Sequence, residues 1–478
     1  MTRSLPLLKP TLLVFFLFLL ITRFYNLENT ARFIWDESSD LVNMHQIFVE
    51  KKLTLVGPIS EDGTKVFGSL TYYLLLPFAA IGNFNPASPV YGAAFYGLIT
   101  ALLLFLLLRR IHSPGPLLPT ILIISWFPLV QTSRWAWNPN FIPLWTTISL
   151  LLFLKNTPLS LLLSGFTIGL TIHHHYLSAF ALTGFTLALL VHFIRQKHFS
   201  LFLLFLLGIA MSLTPFLIFD LRHPPGLFLT KILYFNHLDT PFSIKSFSYK
   251  FFALYKSMLF YFTQSRLISL SLYFLLPLLA IVDLKHRSPA LIFFLPALIQ
   301  LLGLTFIYYD NQSFHYFLPL LIFVFIWLTY PRKSPVHFLP LSILALITIA
   351  SLFTIGRQIT SKTWQTNIPL VRSITQTIQK EVITEDLKNS NLAVLSSPDN
   401  NTYGRRYRDL LLIQNIPLKT KAEYEISDHL FVISTSQEEV VRQDPAYEMK
   451  FFRSGPLIKS WTIPNSDWKI YRLDRNLK

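Results

Sequence analysis

The chain has 478 residues, 52% of them hydrophobic and only 14% charged, against about 25% charged in an ordinary soluble domain. It has no cysteine, which excludes disulfides and thiolate metal sites. The net charge of +16 lies largely in short turns between apolar runs, which points to membrane topology and away from a nucleic-acid partner.

Along the chain, Arg3 and Lys9 precede an apolar stretch at 11–20 that looks like a signal peptide. It lacks a small-x-small cleavage site and leads straight into a polar loop, so it reads as a retained signal anchor. A spanning helix needs about 20 mostly apolar residues. Candidate spans fall at 10–22, 89–108, 116–131, 141–154, 159–172, 177–194, 200–219, 267–281, 290–307, 314–330 and 336–355. Between the first two lies a long first external loop, 24–88. Its apolar segment 70–81 is too short to span and suits a re-entrant or interfacial helix. The basic residues Arg3 and Lys9, Arg109 and Arg110, Lys155, Arg195 and Lys197, Lys285 and Arg287, and Arg332 and Lys333 fall in alternate loops. With about eleven spans, all of these belong on the cytoplasmic side and the C-terminal tail lies outside.

The charge deficit is concentrated in residues 1–356, and 357–478 has ordinary globular composition. In this tail the runs 392–397, 430–435 and 468–473 read as strands, with helices over 404–414 and 436–443, so a small extracytoplasmic α/β domain is expected. The turn-rich loop 397–404 ends a strand, where α/β sheets often bind ligands, although an ordinary surface loop has the same composition. The sequence has no nucleotide-binding glycine pattern, solenoid repeat or low-complexity stretch.

The polar clusters left unexplained by the basic rule, at 35–40, 133–140, 173–176, 220–223 and 309–316, all fall on the side opposite the basic turns, which suggests a shared cavity there. A transporter or lipid flippase, the alternative class, would place ionisable groups and broken helices near the midplane, and few such residues occur. Asp36 and Glu37, with Asp40 one turn on, have two readings. They can be solvated acids capping a helix that starts at Ser38 or Ser39. Or one of them can accept a proton from an acceptor hydroxyl while the other positions it. Adjacent side chains diverge, so they do not form a glycosidase-type carboxylate pair. For the same reason His173, His174 and His175, about 100° apart on a helix, cannot converge on one metal ion. One histidine in the cavity, with the others at the interface, is the reading adopted. Arg134, flanked by Trp135 and Trp137, suits an interfacial belt or a bidentate phosphate grip. Arg222 and His223 pose the same choice, while Asp310, His315 and Tyr316 are belt residues or cavity walls.

Taken in order, Trp35-Asp36-Glu37, Phe67-Gly-Ser-Leu-Thr-Tyr-Tyr73, Ser133-Arg-Trp-Ala-Trp-Asn-Pro-Asn140, Phe219-Asp-Leu-Arg-His223 and His315-Tyr-Phe-Leu-Pro319 resemble motifs of the GT-C glycosyltransferases of family 39. That group holds the dolichyl-phosphate-mannose protein mannosyltransferases and the bacterial aminoarabinose transferase, and the resemblance covers roughly residues 10–330. It implies a polytopic α-helical membrane domain over 1–356 followed by the tail domain. It also implies inverting transfer of a sugar from a polyprenyl-phosphate-sugar donor to a lipid, protein or polysaccharide acceptor on the extracytoplasmic face. Asp36 maps to the family's catalytic aspartate, with Glu37 as helper. Arg134, Asn138, His175, Tyr176, Arg222, His223, Asp310, His315 and Tyr316 are the substrate-binding candidates. No cofactor is implied. Asn138 and Asn140 stand where many members carry an aspartate, which argues against a second acidic helper and against a divalent metal held there. The 67–73 stretch lacks the prolines, and the lysine of the aminoarabinose branch, so that donor is not favoured.

Overall fold

The structure, a computed structural model, describes residues 8–59, 66–111, 126–224, 226–228, 243–307, 313–332, 338–361, 367–395 and 402–475. Asp310, most of the loop 397–404 and the first ten residues of the expected span 116–131 lie outside these. The chain forms two compact units. The first comprises Met1–Leu27, Thr54–Leu74 and Tyr91–Thr360; the second comprises Glu28–Leu53, Leu75–Val90 and Ser361–Lys478. The tail therefore shares a unit with most of the first loop, a grouping that composition alone does not reveal.

The first unit is helical because its Leu- and Phe-rich runs satisfy their backbone groups internally and tolerate apolar surroundings on every side. Ser88–Ile111, Ser178–Gln196, Phe199–Arg222 and Arg266–Lys285 are long and apolar enough to cross a membrane. Shorter apolar helices include Leu13–Phe24, Leu291–Phe306, Phe314–Thr329 and Leu344–Thr360. Phe199–Arg222 keeps Leu203, Leu207, Leu217 and Leu221 exposed along its length, as a lipid-facing helix would. The expected short segment is a twelve-residue helix, Leu70–Ile81, with Pro77 inside it. In this unit the helix Ile244–Thr263 was not anticipated. Its lysines 245, 250 and 256 interrupt the apolar run, while Leu254, Met258, Leu259 and Phe262 are buried along one stripe.

Turns nominated by their basic residues meet in pairs. Arg110 donates to the carbonyl of Leu154, beside Lys155, at 2.9 Å. Arg332 forms a fork on Asp283 at 2.7 and 3.1 Å, and Trp327 Nε1 donates to the same carboxylate at 2.8 Å. Asp283 and the Arg332 side chain are both almost fully buried. Arg332 is thus neutralised within the protein and contributes less to the surface charge bias than its sequence position suggests.

In the second unit the tail builds a four-stranded mixed sheet in the order β3-β4-β6-β5. Its strands are β3 (Ser390–Val394), β4 (His429–Ser434), β5 (Leu457–Thr462) and β6 (Lys469–Asp474), following the two-stranded β1 (Val56–Ile59) and β2 (Val66–Gly68) of the first unit. β3 runs parallel to β4, and the β4–β6 and β6–β5 pairs are antiparallel. β3 and β4 are buried almost throughout, as parallel strands covered on both faces are, although β3 lies at the edge of the sheet. Behind them pack the helices Ile368–Thr384 and Arg405–Ile413. Glu381 joins the first of these to the sheet, accepting from Arg472 at 3.0 Å and Lys459 at 2.8 Å. Arg408 anchors the second, donating to the carbonyls of Tyr403, Lys419 and Leu392, to Asn391 and to the Tyr424 hydroxyl. The first-loop segments join the same body: Arg372 donates to Glu28 at 2.8 Å and to Asn85 at 2.9 Å.

Candidate active site

The acid pair opens a helix, Trp35–Glu50. That helix begins at Trp35, earlier than the Ser38 or Ser39 start expected from capping residues, because Glu37 closes the end. Its Oε2 accepts from the Ile34 amide at 2.7 Å, leaving that otherwise orphaned donor satisfied. Glu37 is buried, whereas Asp36, at the second helical position, is half-buried. Asp40 is buried one turn on. The two neighbouring acids therefore occupy different environments. A tail residue also holds this turn: Ser38 Oγ donates to Asp409 Oδ2 at 2.6 Å. Arg405 donates to Ser39 Oγ at 3.1 Å and lies over the Trp35 ring.

In the first unit, residues of three of the nominated polar clusters, 133–140, 173–176 and 309–316, come together at one place. The turn Thr171–His174 ends in extended backbone at His175, and the three imidazoles diverge as helix geometry demands. His173 donates from Nε2 to the carbonyl of Ser212 at 2.7 Å and stacks on Phe216. His174 Nε2 accepts from Trp145 Nε1 at 2.9 Å, so the ring's proton is on Nδ1, facing Thr71 Oγ1 at 3.0 Å. Burial holds His174 far below the usual imidazole range, at about 3, with the His173 charge a lesser cause. His175 turns the other way, its ring 4.9 Å from His315, 5.3 Å from Phe67 and 5.7 Å from Tyr316. Trp137 packs edge-on against His315 at 4.5 Å and stacks on Trp135 at 4.2 Å. Asn138 donates to the His174 carbonyl at 2.7 Å, fixing the turn. Tyr176 stacks on Phe67 at 5.0 Å, and its hydroxyl accepts from the Val66 amide at 3.1 Å. Burial first, and then the charge of Asp220, raise the Tyr176 pKa, so the phenol stays protonated.

The hinge of this arrangement is Gly68. A methyl group there would overlap Nδ1, Cγ and Cβ of His173. Gly68→Ala is expected to destabilise the protein by about 1–3 kcal/mol, the usual range for overpacking. Gly356→Ala, on a helix surface with no atom near the added methyl, should be neutral or slightly stabilising. Thermal unfolding of the two purified variants makes the comparison.

The nominated cations fare differently. Arg134 is buried and donates to the carbonyls of Thr22 and Tyr25, both at 2.9 Å, capping the first apolar helix. Burial lowers its pKa to about 10. Arg23 meets it at Thr22, donating to that residue's hydroxyl at 2.7 Å, and its Nε and second terminal nitrogen are buried with no hydrogen-bond partner among the described residues. Arg222 and His223 are exposed at the end of Phe199–Arg222. His223 stacks on Phe219, and Arg222 makes no hydrogen bond or ion pair among the described residues. Trp145, Asp409 and Arg405 were not singled out from sequence; Ser38 entered only as a helix start and Thr71 only inside the 67–73 motif. Trp145 alone carried a signal, since a buried indole N–H needs an acceptor.

The fold is similar to that of a solved bacterial membrane protein, ArnT. The chain aligns with the crystal structure of ArnT from Cupriavidus metallidurans bound to undecaprenyl phosphate at a TM-score of 0.59 and 10% identity, covering 97% of this chain and 98% of that one. Against the apo state of the same protein the TM-score is 0.59 at 9% identity, with the same coverage. No family model and no curated protein matches the sequence. The likeness thus lies in the fold and extends through the tail, beyond the 10–330 stretch that carries the sequence motifs.

Proposed function

We propose that this protein is a multi-pass membrane glycosyltransferase that moves a sugar from a polyprenyl-phosphate donor to an acceptor hydroxyl on the extracytoplasmic side, inverting the anomeric carbon. The N-terminus is cytoplasmic and the tail extracytoplasmic. The acceptor oxygen attacks the anomeric carbon, the bond from that carbon to the phosphate oxygen breaks, and polyprenyl phosphate leaves. The acceptor proton passes to Asp36. The observation that carries this reading is Asp36 itself. It is a partly exposed carboxylate in the first turn of a helix beyond the first apolar segment, in a chain whose fold is similar to that of ArnT over 97% of its length.

Glu37 serves as helper by closing the turn that presents Asp36. Of the cations, Arg222 is better suited than Arg134 to stabilise the leaving phosphate, because Arg134 already holds two carbonyls. His175, Tyr176, Asn138, His223, His315 and Tyr316, together with Asp310, are assigned to substrate binding, with the aromatic faces suited to a sugar ring or the first isoprene units. The ArnT structure holds undecaprenyl phosphate, and that lipid class is the donor carrier proposed here. The test is to incubate the purified protein in liposomes containing membrane extract with undecaprenyl-phosphate-linked mannose, glucose, galactose and arabinose, following donor loss by mass spectrometry. Consumption of at least one, with release of undecaprenyl phosphate, is expected; survival of every donor would overturn the assignment.

A further inference from the structure

Asp409 and Ser38 lie 371 residues apart in sequence, yet they make a 2.6 Å hydrogen bond at the first turn of the acid helix. At the next residue of the same turn, Arg405 donates to Ser39 Oγ, and it lies over the Trp35 ring. Both partners come from one tail helix, Arg405–Ile413, whose start is set by Gly404 in left-handed backbone at φ +65°. The side chain of Asp409 is only 15% exposed. Besides Ser38, its Oδ2 faces Arg405 Nε at 3.7 Å, and a buried ion pair carries a desolvation penalty that often exceeds its Coulombic gain. Its pKa is raised by burial, although Ser38, Arg405 and Arg408 pull it down. A well-packed apolar residue would serve stability better at that site, so the retained carboxylate points to geometric control.

We infer that Asp409 and Arg405 are positioning residues: through Ser38, Ser39 and Trp35 the tail domain sets the helix turn that aims the Asp36 carboxylate. This rests on Asp36 acting as the base. A shift of about 1 Å in a catalytic group can reduce the rate by 10²-fold, and loss of one tether displaces the turn less than that. Ser38→Ala and Asp409→Ala should each lower kcat about 10-fold with the donor KM unchanged, assayed with whichever undecaprenyl-phosphate sugar the protein consumes. The double variant should be no slower than either single, since both remove one interaction. Asp409→Asn keeps an oxygen that accepts from Ser38 and should restore most of kcat. Asp36→Asn is measured alongside.

If Asp36→Asn is inactive while Ser38→Ala and Asp409→Ala turn over like the parent, the positioning role is wrong and the base stands. If Asp36→Asn is fully active, the base assignment fails instead. A fall in kcat that tracks a lowered melting temperature, and that Asp409→Asn does not rescue, reduces the contact to a structural one and also overturns the inference.

Discussion

Asp36→Asn is expected to lower sugar transfer by about 10²–10⁴-fold, the range that positioned proton transfer supplies, while leaving the protein folded. The side chain sits at the second position of its helix, where a negative charge interacts favourably with the exposed amides. Removing that charge costs at most about 1 kcal/mol. The amide is the same size as the carboxylate and cannot take a proton from an acceptor hydroxyl. Glu37 provides the contrast within the same turn. Its carboxylate accepts from the Ile34 amide, so Glu37→Ala should loosen the helix start by about 1 kcal/mol, as loss of a capping interaction does. Glu37→Gln, which retains an acceptor oxygen, should behave nearly like the parent. Rates in liposomes and melting temperatures, measured on all three variants, separate chemistry from scaffold. Parental turnover in Asp36→Asn would remove the base from the proposed reaction.

Local periodicity made much of the architecture legible. The helix Leu70–Ile81 follows directly from an apolar run too short to span, and β3, β4 and β6 lie within a few residues of the runs that announced them. Where local pattern and tertiary context disagreed, the sequence was silent. Lys245, Lys250 and Lys256 hid the helix Ile244–Thr263, whose buried stripe becomes apolar only in its second half. β5 is mostly exposed and alternates weakly, as an outer strand does, and it completes the sheet only because β6 is beside it. Ile368–Thr384 is an amphipathic helix packed on a sheet that had to be known first.

The site divides along the same line. The residue types and their order pointed to Asp36, His175, Tyr176, His315 and Tyr316, and the structure brings the last four together around Phe67 and Trp137. The partners that fix their orientation come from distant parts of the chain. Thr71 and Trp145 hold His174, Gly68 makes room for His173, and Asp409 reaches Ser38. Such contacts depend on which elements pack together, and no periodicity records that. The histidine triplet shows the difference well. Helix geometry foretold that three consecutive imidazoles diverge, but all three are buried and none lies at an interface as expected; the acceptor nitrogen of His174 is engaged by a tryptophan 29 residues earlier.

His174 should make the protein acid-labile well above the carboxylate range. In the folded state it accepts from Trp145 at Nε2 and turns its Nδ1 proton toward Thr71. Protonation would set two N–H groups against each other in a site that excludes water. Burial accordingly depresses its pKa to about 3 from the ordinary 6.5. Because the folded pKa lies below the unfolded one, the unfolded chain binds the proton more readily. The stabilising contribution is complete above pH 6.5 and declines as pH falls toward 3, by about 4–5 kcal/mol in all at 1.36 kcal/mol per unit. Unfolding followed in detergent from pH 7 to pH 4 should show this loss. His174→Gln removes the titration while keeping a group that can accept from Trp145. It should be less stable than the parent at pH 7, by about 1–3 kcal/mol for an imperfectly satisfied buried pair, and should lose less stability on acidification. His173 is also depressed by burial but remains in both proteins, so the difference between the two pH profiles reports on His174 together with its electrostatic coupling to His173. Parallel profiles would mean that the ring at position 174 takes up its proton without disturbing the fold.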